Sequence, residues 1–218
     1  MATGTSVGNY GQVPRSSSIR TLAREAADEV QRNLIIDATC DVIANEGLEA
    51  ASLRRIAEKL ECTTGLITHY FTSKDDLLVK ALERVIEIIT GGKSLALDHV
   101  VPLSQRLNAF YRTLPVEGDA RRFWLVLMAF RAASVGNPRL ADVYKRIGLE
   151  SWATMRASVG AELGRAADDP KVVSVAAAIN AVLEGFGDAT AVNPGTFTPE
   201  MVTTHVETIV GALVQAAR

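Results

Sequence analysis

Cysteine is almost missing from this chain: Cys40 and Cys62 are the only two. So sparse a pair cannot staple a disulfide scaffold and suits a reducing compartment, so a cytoplasmic protein is expected. No stretch of transmembrane length is free of charge or glycine, and the first residues hold no apolar segment. Neither a membrane span nor a secretory signal is therefore expected. A charge excess is also lacking, with 23 Lys and Arg against 25 Asp and Glu. That balance excludes a broad basic surface, so any nucleic-acid affinity must come from a few placed groups. Histidine is scarce. His69, His99 and His205 lie far apart in the chain, without metal-ligand spacing, and no metal or cofactor is expected. Catalytic signatures are missing too. Gly91-Gly92-Lys93-Ser94 ends like a phosphate-binding loop, but Glu87 stands where the leading glycine belongs and a helical pattern precedes it. No serine or cysteine has a nucleophile's local signature. The chain is read as no enzyme.

What is present is helical periodicity, with no convincing strand and no internal repeat. Hydrophobic residues make up 48% of the chain, enough for a substantial core. A first helix is predicted from about Leu22–Ala26 to Asn45, with Ile35, Ala38, Val42 and Ile43 on its inner stripe and Gly47 as a left-handed cap. Another helix spans Lys74 to about Thr90, and Gly91-Gly92 after it reads as a hinge. Further helices are expected over Pro102–Leu114, Asp119–Val135, Arg139–Leu163, Lys171–Ala191 and Pro199–Ala216, separated by Gly, Asn, Asp and Pro punctuation. The fold class is all-α, with about nine helices. Residues 1–20 are rich in Gly, Ser and Thr. They read as a disordered arm, or as a basic arm that reaches a minor groove through Arg15, Arg20 and Arg24.

The most informative stretch is Ser52 to Lys74, SLRRIAEKLECTTGLITHYFTSK. Leu53, Ile56, Ala57 and Leu60 give one apolar stripe, and Ser52 stands where a hydroxyl caps a helix. Thr63 caps a second short helix, which Ile67 and Phe71 hold against the first. Ser73 opens a third, with Asp75 and Asp76 suiting its positive end and Asp76 completing a short capping box. Helix, tight turn and polar helix is the arrangement that places a helix in the DNA major groove. This stretch holds four basic side chains against two acidic ones, Glu58 and Glu61.

Residues 35–82 resemble the N-terminal DNA-binding domain of the TetR family of transcriptional regulators. The likeness is carried by IIDATCDVIANEGLEAAS (35–52), LRRIAEKLECTTGLITHYF (53–71) and SKDDLL (73–78). Many members have Tyr where this chain has Thr68. The run Thr68-His69-Tyr70-Phe71 is similar to the branch typified by choline-responsive repressors. The resemblance implies a three-helix DNA-binding domain at 25–90 behind a flexible arm at 1–24, and a helical effector-binding and dimerisation domain at 91–218.

Within that frame the DNA-contacting set is Ser52, Arg54, Arg55, Thr63, Thr64, Thr68, His69, Tyr70 and Lys74. Threonine hydroxyls and methyls suit base edges, while Tyr70, His69 and the basic groups suit phosphate. Equally, Tyr70 and His69 could pack on a neighbouring helix. The middle helices hold Phe110, Tyr111, Phe123, Trp124, Met128, Phe130, Trp152 and Met155, with Arg131 and Glu184 inside apolar stretches. The resemblance implies a small-molecule pocket there, assigned to Phe110, Trp124, Met128, Arg131, Trp152, Met155 and Glu184. Taken singly, each of these side chains reads as core. Apolar residues on two faces of the helices near 171–191 and 199–216 call either for burial within the subunit or for a four-helix homodimer interface. The expectation is a homodimeric regulator, a repressor, that binds a near-palindromic double-stranded operator and is released by a small-molecule effector. The alternative is a helical ligand-binding or adaptor protein without DNA binding.

Overall fold

The computed structural model describes residues 16–89, 100–116 and 118–218. Among them lie nine helices and no strand. They are α1 (Ser16–Glu46), α2 (Leu53–Lys59), α3 (Thr64–Tyr70), α4 (Lys74–Ile89), α5 (Leu103–Arg112), α6 (Gly118–Ser134), α7 (Pro138–Leu163), α8 (Pro170–Val192) and α9 (Pro199–Ala217). Helices α1 to α4 are called the head below, and α5 to α9 the body.

The boundaries follow local chemistry. Gly47 takes φ +87°, and its N–H donates to the Ile43 carbonyl at 3.0 Å, closing α1 with the expected left-handed cap. Asn137, Asp169 and Thr198 cap α7, α8 and α9, each just ahead of a proline at the first helical position. At α4 the capping box differs from expectation. Ser73 accepts from the Asp76 N–H at 3.1 Å, but the Asp76 carboxylate reaches back to the N–H and hydroxyl of Thr72 rather than to Ser73.

One boundary is corrected outright. Residues 16–24, expected within a flexible arm, form the start of α1. The run Leu22 to Ala27 is rich in good helix formers, and no Gly or Pro interrupts Ser16–Glu46. Leu22, Ala26, Val30 and Leu34 recur every four residues, and Leu22, Val30 and Leu34 are about half exposed or more. Residues 1–15, Arg15 among them, and the Gly91-Gly92 hinge with His99 lie outside the described residues.

Two cores organise the chain. The first joins Ile35 and Val42 of α1, Ile56 of α2, Ile67 of α3 and Leu82 of α4 with Phe130 of α6. The second joins Phe110 of α5, Trp124 of α6, Val159 of α7, Ile179 of α8 and Val206 of α9. Helix α6 feeds both, because Phe123, Val126 and Phe130 face the head while Trp124 faces the body. Each such fully buried side chain contributes about 1.5–3 kcal/mol. Cys40 is wholly buried in the first core, its thiol pushed up to about 12 by burial and aimed at the Ala81 carbonyl. It acts as a small apolar residue.

The seam between head and body is also ionic, and one-sided. Asp41 of α1 pairs with Arg122 of α6, Asp75 of α4 with Arg139 of α7 at 3.5 Å, and Glu83 of α4 with Arg146 of α7 at 3.3 Å. In each pair the head supplies the acid and the body the arginine.

Candidate nucleic-acid interface

Helices α2 and α3 are short, and their placement rests on caps and two anchors. Ser52 Oγ accepts from the Arg55 N–H at 3.1 Å, and Thr63 Oγ1 accepts from the Leu66 N–H at 3.3 Å. Between the helices Glu61 adopts φ +53°, a left-handed conformation that tightens the turn. Ile67 is fully buried and Phe71 nearly so, which fixes the inner face of α3. Its outer face carries Thr64, Gly65, Thr68 and His69, all exposed. A capping hydroxyl that accepts with its oxygen keeps its own proton for donation, so Ser52 and Thr63 can each donate to a phosphate while capping.

The remaining members of the sequence-read set separate in the fold. Arg55 makes a bidentate fork with Glu46 of α1, with Nη2 to Oε1 at 2.7 Å and Nε to Oε2 at 2.9 Å. The hydrogen bonds from Arg55 hold the Glu46 carboxyl below its ordinary range. Arg54 pairs with Glu58 at 2.9 Å on an open surface, and nearby Lys59 pairs with Asp41 at 3.1 Å. Tyr70 turns toward α1: its hydroxyl donates to Asp28 at 3.2 Å, and its carbonyl accepts from Arg32. Burial first, and then the Asp28 carboxylate, raise the Tyr70 phenol above its ordinary range. His69 stays exposed, edge-on to the Tyr70 ring at 4.9 Å between centroids. Lys74 lies half-buried beside a cavity of about 490 Å³ at the junction of head and body, where Glu49, Asp75, Asn137 and Leu140 also line the wall. Arg20 and Arg24 are exposed on α1, one to two turns before Asp28, the partner of Tyr70.

In the body, Phe110, Trp124 and Met155 are buried in the second core, with Met128 and Trp152 half-buried against it. The structure brings Trp124, Arg131 and Glu184 together around a residue that sequence reading missed. Asp188 accepts from the Trp124 indole N–H at 2.9 Å and from Arg131 Nη1 at 2.9 Å, while Glu184 lies 3.7 Å from Arg131 Nη2. Arg131 Nε also donates to the Tyr144 hydroxyl at 2.8 Å. The available signal was the i, i+4 spacing of Glu184 and Asp188 in an otherwise apolar helix. Gly187 belongs to the same arrangement, since an added Cβ would come within 1.9 Å of the Trp124 ring. None of the pocket residues read from the sequence lines the junction cavity.

Comparison with known proteins follows the same division. Residues 35–81 match the family model for bacterial regulatory proteins of the tetR family, and residues 104–215 match that for the C-terminal part of BetI-type transcriptional repressors. The HTH-type transcriptional regulator PksA of Bacillus subtilis (strain 168) is 31% identical over 112 residues, which are 51% of this chain and 55% of PksA. BetI of Klebsiella pneumoniae (strain 342) is 31% identical over 118 residues, 51% of this chain and 58% of BetI. The chain thus spans just over half the length of these curated relatives. A putative transcriptional regulator from Saccharomonospora viridis, solved in complex with choline, has the same fold, with TM-score 0.68 and 22% identity over 83% of this chain and 95% of that one. A head matched by one model and a body matched by the other make this chain a member of the TetR family, with a BetI-type C-terminal domain.

Proposed function

We propose that this chain is a homodimeric, effector-responsive repressor that acts in the cytoplasm on a near-palindromic operator. The observation that carries the reading is the outer face of α3: Thr64, Thr68 and His69 are exposed on a helix whose other side is locked into the core by Ile67 and Phe71. A polar face held so rigidly is suited to a groove. Ser52, Thr63 and Lys74 supply phosphate donors around it. Because Arg54, Arg55 and Lys59 are already paired with carboxylates, each head offers little free positive charge, and useful affinity needs two heads on one DNA, about 34–36 Å apart.

The partner surface in this reading is α8 with α9. Helix α8 is long and apolar enough to cross a membrane by length and composition alone, yet only 28% of its most apolar stretch is buried within the chain. It packs on α6, α7 and α9, and its Asp188 is paired with Arg131. Ala177, Ala181 and Gly185 leave an exposed strip of small side chains on which a second copy can close tightly. An effector held in the body near the Trp124–Asp188–Arg131 group would favour one spacing of the heads, so that effector and operator oppose each other reciprocally. The choline complex of the Saccharomonospora neighbour makes choline the first ligand to try.

The test is binding of the purified protein to pooled genomic fragments across a salt series, beside a Thr64→Ala/His69→Ala variant. Binding that weakens with salt and is lost in the variant supports the regulator. Equal retention of every fragment by both proteins, or by neither, sinks it.

A further inference from the structure

Direct reading of bases usually relies on Arg, Lys, Asn or Gln, whose forks match base edges in the major groove. Helix α3, TGLITHY, has none of them. Of the nearby arginines of α2, which lie outside α3, Arg55 is forked on Glu46 and Arg54 pairs with Glu58 on the open surface. Ile67 is turned into the protein, Leu66 is half-buried, and the Tyr70 hydroxyl is given to Asp28. Thr64, Gly65, Thr68 and His69 are left to meet a groove. Thr68 donates its one hydroxyl proton to the Gly65 carbonyl at 3.1 Å, so toward DNA it can only accept, and its methyl is uncommitted. Thr64 lies one helical turn before it, on the same face. Gly65 adds to the pattern: a Cβ there would meet only Thr63 Oγ1, at an ordinary 3.6 Å. Packing within the chain therefore does not require glycine in this exposed helix. What its bare backbone permits is a closer approach to the groove floor.

Resting on the DNA-binding reading above, we propose that α3 reads its half-site through methyl contacts, with Thr64 and Thr68 against the C5 methyls of thymines and His69 supplying the polar contact to a base edge. The partner this chemistry selects is a half-site with thymines placed under α3. Amino-group forks play no part in the discrimination.

The experiment compares one operator, recovered by selection from genomic fragments, prepared with thymine and with deoxyuridine. Wild-type protein and the Thr64→Ser and Thr68→Ser variants are titrated against both; serine keeps each hydroxyl and removes only the methyl. Each methyl pair lost is expected to weaken binding about fourfold, and one pair in each half-site about fifteenfold. On deoxyuridine DNA the serine variants should bind like wild type, the non-additivity that marks a direct contact. Equal wild-type affinity for the two DNAs, or a serine penalty of the same size on both, overturns the inference. Failure of the wild type to bind thymine DNA at all is a different result, which removes the DNA-binding reading and the inference with it.

Discussion

Asp41 stands between cations from two parts of the chain, Lys59 of α2 and Arg122 of α6. Burial alone would raise its carboxyl, but hydrogen bonds from Arg122 and Lys59 outweigh that and hold it below the ordinary aspartate value. A carboxyl depressed in the folded state stabilises the fold above its unfolded value, about 3.9. That contribution is lost as pH falls through the lower folded value. Asp41→Asn should therefore cost on the order of 1 kcal/mol at neutral pH, in keeping with a half-screened pair, and should flatten the acid limb of a stability–pH profile measured by urea unfolding. A variant whose acid limb matches wild type would show that the triad does not couple to folding. Nothing in the sequence announced this triad, because its members are 18 and 81 residues from Asp41 and belong to different helices. Ser52 and Thr63, by contrast, were legible as caps, since capping is decided within three residues of sequence. For Tyr70 the sequence left two readings open, a DNA contact or packing on a neighbouring helix; its bond to Asp28 of α1 follows the second, and no local pattern could choose between them because the partner is 42 residues away.

Helix α3 has seven residues, too few to hold itself together in water. Its order comes from the Thr63 cap, the Ile67 and Phe71 anchors and the turn at Glu61. Thr63→Ala should lower stability by about 1 kcal/mol. It should also weaken operator binding beyond the fraction unfolded, since the same hydroxyl donates to phosphate in our reading. Thr63→Ser should restore both. Denaturant melts paired with DNA titrations separate the two effects, and an alanine variant that loses stability but keeps full affinity leaves Thr63 a cap only. The helices from α2 onward lie within a residue or two of their expected spans, because Pro, Gly, Asn and Asp mark their ends. Exposed apolar side chains on α1 carry no such punctuation, and so the extra turns of that helix passed for an arm.

At the scale of the whole molecule, the dimer is the claim most open to a single substitution. A side chain added at Gly185 meets nothing within 4 Å in the isolated subunit. Leaving glycine also favours a helix. Gly185→Arg should thus leave the subunit folded while blocking close approach of a second α8. Sedimentation should then find the 23.4 kDa chain alone, with operator affinity falling sharply because one head replaces two. An unchanged dimer with unchanged affinity would place the partner surface elsewhere. The one-sided seam has a consequence for anyone who recombines such proteins. The head presents carboxylates at Asp41, Asp75 and Glu83, and the body answers with Arg122, Arg139 and Arg146. A head transplanted from a relative with neutral or basic residues at those three places would take Asp41 from the half-buried Arg122, leaving it Asp119 alone, and would strip the exposed Arg139 and Arg146 of their partners. Exchanging all six signs together would instead produce a matched set that refuses the parental halves, an address by which two chimaeric regulators could be kept from mixing their domains.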